Sequence, residues 1–386
     1  ALAGNQLSNA ALQSLAIQSR WLSKRVEHHL LANHLFVNAK ALVFAGMFFE
    51  GLEADSWLNQ GLRILAREIP EQVLADGGHF ELSPMYHAII LEDILDLINA
   101  DQCWLGVLTL QHINIWRSTA ERMLLWLEIM SHPDGDVSFF NDAAFGIAPR
   151  LMDLVQYAKR LGLNVEQGDS TNEIHHLQQS GYIRARKENA TLIIDAARVG
   201  AHYQPGHAHA DTLSFEFSMG IQRVFVNCGT SVYKIGAQRS LERSTAAHNT
   251  VEIYKSNSSE VWGAFRVARR AVPFAIQCVA ANNEIAITAS HDGYQRLVGR
   301  PTHKRSWQLT SNSLTITDLI TGKFDIAIAR FYLHPSVNTS ETGSLMLANG
   351  QRLQYSNRGT IMTMEESIWH PEFGKNVCNT CLVFTF

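Results

Sequence analysis

Two histidines and an aspartate stand at alternating positions in the segment Gln204–Asp211. If the chain is extended here, His207, His209 and Asp211 project to one face, because side chains alternate along a strand. The apolar run Leu213–Phe217 follows directly, which places the three groups at the mouth of a buried strand. Such a set could ligate a metal, transfer a proton, or simply form a satisfied hydrogen-bond network.

A second dense cluster of polar residues lies in a glycine-rich segment, residues 76–87, that runs into a predicted helix. It contains His79, Glu81, Tyr86 and His87. A tyrosine one turn into a helix usually packs against its neighbours. Beside histidines and a carboxylate, however, the pKa of Tyr86 could be shifted enough for proton transfer.

Two further groups of residues could contact an anion or a metal ion. Asn33 and His34 open a predicted helix, whose N-terminus favours a negative group such as a substrate carboxylate, although Asn33 could merely cap the helix. Asn227 and His248 belong to separate short strands. With His209 they would supply two imidazoles and an oxygen, a set that suits a divalent ion such as zinc.

These groups are spread over two halves of different periodicity. Up to about residue 163, apolar residues recur at spacings of three, four and seven, which predicts helices. From about residue 181, short apolar runs alternate with Gly, Asn and Ser, which predicts an antiparallel β-sandwich. We therefore predict an α-helical domain at 1–163, a polar linker at 164–180 and an all-β domain at 181–386.

The composition limits the possible partners. The chain has 386 residues, a formal net charge of -4 and 46% hydrophobic residues, which is typical of a globular protein with a large core. The charge balance and the lack of a long basic run argue against nucleic acid. The sequence contains no run of about 18 apolar residues, so it predicts no membrane span. The five cysteines cannot all pair, and the single CxxC at 378–381 is interpreted as structural.

Several motifs, in the same order along the chain, resemble those of the heparinase II/III-like polysaccharide lyases. They are Asn-His-Leu…Asn-Ala-Lys-Ala-Leu at 33–42, Asp-Gly-Gly-His-Phe-Glu-x-Ser-Pro-x-Tyr-His at 76–87, His-x-His-Ala-Asp at 207–211, Ala-His-Asn-Thr-Val at 247–251 and Val-Trp-Gly-x-Phe-Arg-Val-Ala-Arg-Arg-Ala at 261–271. The resemblance implies an (α/α) toroid, incomplete at its N-terminus, followed by an antiparallel β-sandwich with the active site in the cleft between them. It also implies cleavage of uronate-containing polysaccharides by β-elimination.

The resemblance implies catalytic roles for four residues. Asn33 or His34 would neutralise the uronate carboxylate as charge spreads into it. Tyr86 would protonate the departing oxygen, and His207 would remove the C5 proton. We expect Tyr86 and His207 to face each other across the cleft. Substrate contacts are expected from further polar residues of the same segments, His79, Glu81, His87 and Arg243.

The resemblance also implies a bound divalent metal ion, with zinc the expected species. Its ligands would be His209, Asn227 and His248. Family members often have aspartate where this chain has Asn227, and a neutral amide is a weaker ligand. Some relatives carry a glutamate three residues after the first-helix histidine, where Val37 stands here, so no role is assigned to that position.

The expected substrate is an anionic, glycosaminoglycan-like polysaccharide, with an alginate-like or capsular polymer cleaved by the same mechanism as the alternative. A cupin-like metal enzyme is a second class, because His-x-His on a strand opens that motif. It would leave the helical half unexplained, and Glu216 lies farther from His209 than the motif allows. A non-catalytic carbohydrate-binding protein is the third class. A periplasmic or secreted location follows from the substrate class alone.

Overall fold

The computed structural model describes residues 7–165, 173–340 and 343–386. Its first half is helical, as the 3.6-residue periodicity predicts. The helices are α1 (Asn9–Ser23), α2 (Ala32–Phe48), α3 (Leu52–Gln72), α4 (Pro84–Cys103), α5 (Leu110–Ile129) and α6 (Leu151–Arg160).

Helix α4 forms the centre of the helical half. Its residues Leu91 and Ile94 are fully buried in the largest apolar cluster of the described chain. The helix begins where proline is best tolerated, at Pro84, and the Ser83 hydroxyl accepts the N–H of Tyr86 at 3.1 Å, which is an N-cap. Tyr86 therefore sits on a well-anchored first turn.

Helices α2 and α3 pack closely because Gly61 of α3 faces α2. A Cβ atom at Gly61 would lie 2.7 Å from the carbonyl oxygen of Ala39, closer than such atoms approach. The glycine thus allows near contact of the two backbones at the middle of α2.

The second half consists of antiparallel strands connected mainly by short turns. The strands are β1 (Ile174–Leu177), β2 (Tyr182–Lys187), β3 (Ala190–Asp195), β4 (Phe215–Met219), β5 (Gln222–Phe225), β6 (Val251–Ile253), β7 (Val261–Trp262), β8 (Arg266–Val267), β9 (Pro273–Ala281), β10 (Glu284–His291), β11 (Thr302–Leu309), β12 (Leu314–Thr321), β13 (Ala327–Tyr332), β14 (Asn338–Ser340), β15 (Ser344–Met346), β16 (Arg352–Gln354), β17 (Ile361–Trp369) and β18 (Val377–Thr385). A short helix, α7 (Ala237–Glu242), and a 3-10 turn at Thr245–Ala247 precede β6.

Three larger sheets build the β half, with strand orders β1-β2-β3-β4-β5, β12-β11-β10-β9 and β17-β18-β13-β6. Leu192 and Phe215 of the first sheet pack with Ile287 and Trp307 of the second in one buried cluster. Strand β12 alternates between half-buried and exposed residues, the pattern of a strand with one face on the core. The sheets therefore enclose a sandwich core.

The two halves are joined through direct hydrogen bonds. The Tyr182 hydroxyl donates to the Leu82 carbonyl at 2.6 Å, and the indole N–H of Trp126 donates to the Ser180 hydroxyl at 2.9 Å. Both bonds connect the start of the β half to segments beside α4 and α5. The β half is thereby fixed against the helix that carries Tyr86.

The segment predicted as a linker, 164–180, contains the edge strand β1. A polar sequence still forms an edge strand because its backbone pairs with β2. Residues 166–172 of that segment lie outside the described residues, and the exact domain boundaries stay a prediction. Among the helices of the described chain, none combines the length and the apolar character needed to cross a membrane.

Candidate active site

The carboxylate of Asp142 is the centre of the site. It lies between α5 and α6, is fully buried, and accepts His207 Nδ1–H at 2.9 Å and His209 Nε2–H at 2.8 Å. Arg239 donates to both of its oxygens. Burial alone would raise the pKa of the Asp142 carboxyl, but these hydrogen bonds hold it well below its usual range. A permanent buried anion therefore orients both histidines.

Asp142 determines which nitrogen of His207 can act as a base. Because Nδ1 donates its proton to Asp142, the other nitrogen, Nε2, carries the lone pair. The nearest carboxylate to Nε2 is that of Glu81, at 3.9 Å. The side chain is 12% exposed. The contact with Asp142 thus leaves Nε2 as the nitrogen that His207 presents at the edge of the site.

Tyr86 lies against His207 instead of across a cleft from it. The two ring centroids are 3.8 Å apart and the ring planes are tilted by 30°, so no sugar fits between them. The expected facing arrangement is therefore corrected: one wall carries both groups. The Tyr86 hydroxyl lies 3.1 Å from that of Tyr233. Burial raises the pKa of Tyr86 to about 12, which keeps its proton available for donation at neutral pH.

Asn33 and His34 occupy the first turn of α2, as predicted, but in different surroundings. Asn33 is half-buried and makes no side-chain hydrogen bond to any described residue. His34 is exposed, and its Nδ1 lies 3.6 Å from a Glu27 carboxylate oxygen. Ala32, beside them, packs with Ala201 of the segment that leads to His207. The first turn of α2 therefore packs beside the segment that leads to His207.

The residues expected to contact substrate are all buried, with exposed fractions between 0% and 2% for His79, Glu81, His87 and Arg243. His87 Nε2 donates to the Met123 carbonyl at 2.9 Å. The Arg243 guanidinium donates to the Ala208 carbonyl, next to His207, at 2.9 Å. The structure therefore places these side chains behind the wall of the site, where they support it and do not touch the surface. The polar sequence of the 76–87 loop is typical of an exposed segment. The loop is nevertheless buried, because the β half covers it.

Glu81 is unusual among them because neither of its buried carboxylate oxygens has a hydrogen-bond partner. The Nδ1 atom of His79 is likewise buried and unpartnered. Burial raises the pKa of Glu81 to about 7, more than the nearby His207 lowers it. Burying an unpaired carboxylate is costly, so this group favours its protonated form within the folded protein.

The geometry of His209 and His248 fits a metal ion. His248 Nδ1 donates to the Ser244 carbonyl at 2.7 Å, and His209 Nε2 donates to Asp142. Burial lowers the pKa of His209 to about 4, so the ring is neutral near pH 7. His209 Nδ1 and His248 Nε2 then face each other with lone pairs, 3.1 Å apart. Two nitrogens bound tetrahedrally to zinc would be roughly 3.3 Å apart, given bonds of about 2.0–2.1 Å.

Asp211 is a further candidate ligand beside the two histidines. Ligand atoms of His209, Asp211 and His248 all lie within 4.8 Å of one another. The Asn227 side chain is engaged elsewhere: its oxygen accepts the Asn249 N–H at 2.9 Å and its NH2 group donates to the Phe139 carbonyl at 2.9 Å. Asn227 stays a predicted ligand, and its side chain bridges two backbone segments beside the cluster. The alternating pattern of 207–211 already contained the carboxylate.

Three residues of the site were not recognised from the sequence, namely Asp142, Arg239 and Tyr233. Asp142 looked like a helix cap, since Asn141-Asp142 precedes a helical pattern. Tyr233 lies in an irregular segment and Arg239 in the short helix α7, and neither belongs to a motif that the sequence analysis singled out. Burial raises the pKa of Tyr233 far above that of an ordinary tyrosine, so its hydroxyl keeps its proton beside Tyr86.

Fold and site together define a class: a helical domain that carries a tyrosine, docked on a β-sandwich that carries a histidine and a candidate metal cluster. Family models agree with this description, since "Heparinase II/III N-terminus" matches residues 5–160 and "Heparinase II/III-like, C-terminal" matches residues 169–386. The chain belongs to the heparinase II/III family. The cupin-like alternative finds no support, because both halves are accounted for.

Curated and solved relatives agree with this assignment. A heparin-sulfate lyase of Bacteroides stercoris is 28% identical over 244 residues, which cover 58% of this chain and 36% of that protein. The structure of heparan sulfate lyase HepC from Pedobacter heparinus matches with a TM-score of 0.70 and 21% identity, over 97% of this chain and 60% of that one. A heparinase III structure matches with a TM-score of 0.77 and 18% identity, over 98% and 62%. The predicted fold class is confirmed, and the chain spans less than two thirds of these relatives.

Proposed function

We propose that this protein is a polysaccharide lyase that cleaves uronate-containing, glycosaminoglycan-like chains by β-elimination. The observation that carries the proposal is the contact between Tyr86 and His207, with His207 Nδ1 bound to Asp142. This pair presents a base and an acid on one wall. The relatives named heparin-sulfate lyase support a sulfated glycosaminoglycan as the substrate class.

The reaction needs three groups around one sugar. Asn33 donates to the uronate carboxylate, which stabilises the charge that develops there when C5 loses its proton. His207 Nε2 takes that proton, the C4–C5 double bond forms, and the C4–O4 bond breaks. Tyr86 gives its hydroxyl proton to the departing O4. Because base and acid share a wall, the preferred uronate has its C5 proton and O4 on the same face of the ring, as in D-glucuronate.

We further propose that His209, His248 and Asp211 hold one divalent ion, with zinc the favoured species because two imidazoles and a carboxylate are its usual ligands. A bound ion would cancel the repulsion of the two facing lone pairs. It would also fix His209, and through Asp142 the orientation of His207. Its contribution would be the rigidity of this wall.

The direct test follows the ultraviolet absorbance of the unsaturated uronate formed on elimination. Purified protein is offered heparan sulfate, chondroitin sulfate, hyaluronan and alginate. Heparan sulfate should give product, while a response to alginate alone would favour the alternative substrate class. If no polymer gives unsaturated product, the lyase proposal fails, and retention of heparan sulfate without cleavage would favour a carbohydrate-binding protein.

Two variants test the assigned roles. Tyr86→Phe and His207→Ala should each lower turnover by roughly 10²–10⁴-fold, the usual value of a positioned acid or base. Tyr157→Phe removes a hydroxyl that bonds to Asp96 in the helical half, and His202→Ala removes an exposed histidine near His207. Both controls should retain turnover. A folded Tyr86→Phe protein with full turnover would remove Tyr86 from the mechanism.

A further inference from the structure

Two buried arginines donate hydrogen bonds to the backbone of the β7–β8 hairpin. The guanidinium of Arg239 donates from Nε to the Ala264 carbonyl at 3.0 Å. Arg243 approaches the carbonyls of Trp262 and Gly263 at 3.5 and 3.4 Å. Both arginines are fully buried. Because the same arginines bind Asp142 and the Ala208 carbonyl, the hairpin backbone is fixed relative to the catalytic wall.

The hairpin carries three side chains that are exposed to solvent. Trp262 is 52% exposed and Phe265 is 43% exposed. Arg266 is also exposed, and its guanidinium carbon lies 4.8 Å from the centroid of the Trp262 ring. We call Trp262, Phe265 and Arg266 the hairpin platform. Exposed aromatic surface on a rigid support is typical of a binding surface.

Arg266 differs from its basic neighbours in having no anionic or carbonyl partner. Arg269 pairs with Glu260 at 2.6 Å. Arg270 donates to the carbonyls of Ala201 and His202 at 2.9 Å each. The side chain of Arg266 makes no hydrogen bond to any residue that the structure describes. Its planar N–H groups are therefore free to donate to two oxygens of an external anion.

The hairpin platform adjoins the catalytic wall. The Phe265 ring centroid lies 6.4 Å from that of His207, edge to face, and 5.6 Å from that of Tyr233. A sugar that rests on Phe265 and Trp262 would therefore be within one unit of the sugar at His207. The platform supplies flat apolar surface for a pyranose face, together with one free cation for a carboxylate or a sulfate.

We propose that the hairpin platform is a subsite that binds the acidic sugar unit next to the one being cleaved, with Arg266 on its anionic group and Trp262 and Phe265 against its ring. The inference rests on the proposed function for the position of the scissile bond. It assigns to the Val-Trp-Gly-x-Phe-Arg motif a recognition role, in contrast to the positioning role of Arg239 and Arg243.

The test compares Arg266→Gln with the matched control Arg269→Gln. Each substitution removes one exposed positive charge, and the two positions are three residues apart. If only the overall charge of the surface mattered, the two variants would lose the same affinity. The affinity for heparan sulfate is measured by calorimetry in a Tyr86→Phe background, where binding is observed without turnover. Arg266→Gln should weaken binding about 10-fold, the lower end for a charge-assisted hydrogen bond at a solvated site. Arg269→Gln should change it less than about 2-fold.

Two further measurements complete the design. Heparan sulfate stripped of sulfate but with intact carboxylates identifies the anion: a persistent Arg266 effect assigns the carboxylate, and a lost effect assigns the sulfate. Trp262→Ala should weaken binding of both polymers, because the ring contacts the sugar face. Equal affinities of the Arg266→Gln and Arg269→Gln proteins would overturn the subsite. If the wild-type protein forms no unsaturated uronate, the proposed lyase function is wrong. The binding measurements would still show whether the hairpin platform binds an acidic sugar.

Discussion

Replacing Glu81 by glutamine should change how the stability of the protein depends on pH. Glu81 is 2% exposed and neither oxygen has a partner, and burial raises its pKa from 4.5 to about 7. The folded protein therefore holds this proton more tightly than the unfolded chain does. Between about pH 4.5 and pH 7 the unfolded chain releases the proton and the folded protein keeps it, so the free energy of unfolding falls as the pH rises.

The size of this effect follows from the two pKa values. Their difference corresponds to about 3 kcal/mol of stability. This contribution is fully present below about pH 4.5 and fully lost above about pH 7. Glu81→Gln keeps the neutral form at every pH and should not show this loss. Urea denaturation at pH 5 and pH 8 measures it, since the midpoint reports stability when the slope is unchanged.

The comparison uses the difference between proteins, because other groups also titrate over this range. Wild-type protein should lose about 3 kcal/mol more than the Glu81→Gln protein between the two pH values. Glu366→Gln, an exposed substitution of the same kind on β17, should behave like wild type. Parallel profiles of the wild-type and Glu81→Gln proteins would show that Glu81 is ionised inside the folded protein, and the reasoning from its missing partners would be refuted.

Three other perturbations probe the groups around Asp142. Tyr233→Phe removes only the hydroxyl that meets Tyr86, so turnover should fall about 10-fold, less than for loss of Tyr86 itself; steady-state kinetics measures this, and an unchanged rate would make Tyr233 a packing residue. Asp142→Asn leaves Arg239 buried without its anion and should lower stability by about 3–5 kcal/mol, which a shifted urea midpoint would report and an unshifted midpoint would contradict. His248→Ala removes one of the three grouped ligand atoms and should abolish stoichiometric zinc in protein dialysed against the metal, measured by elemental analysis; retained zinc would place the ion elsewhere.

The sequence predicted the features that depend on local patterns. The glycine-rich segment 76–87 was predicted to run into a helix with Tyr86 one turn from its start, and helix α4 has Tyr86 on its first turn. The alternation of 207–211 predicted that histidines and an acid would gather at a strand mouth. His209 and His248 do meet, as the predicted metal site requires.

The features that were missed depend on contacts between distant segments. Asp142 binds His207 and Arg239, which lie 65 and 97 residues away, and no local pattern connects them. The burial of His79 and Glu81 likewise results from docking of the β half over a loop whose polarity predicts exposure. The stacking of Tyr86 on His207 required the relative position of two domains, which periodicity within each domain does not contain.

The contact between Tyr86 and His207 has a consequence for the inheritance of the two halves. The reactive pair exists only where the surfaces of the two halves meet, and Asp142 of the first half binds the histidine of the second. A recombinant protein could join the helical half of one relative to the sandwich of another and keep every motif. If the two halves packed together differently, Tyr86 and His207 would still be misplaced relative to each other. We expect substitutions in the apolar cluster that the two halves share, which includes Leu82, Trp126 and Tyr182, to be matched on both sides among relatives, so that the halves evolve as one unit.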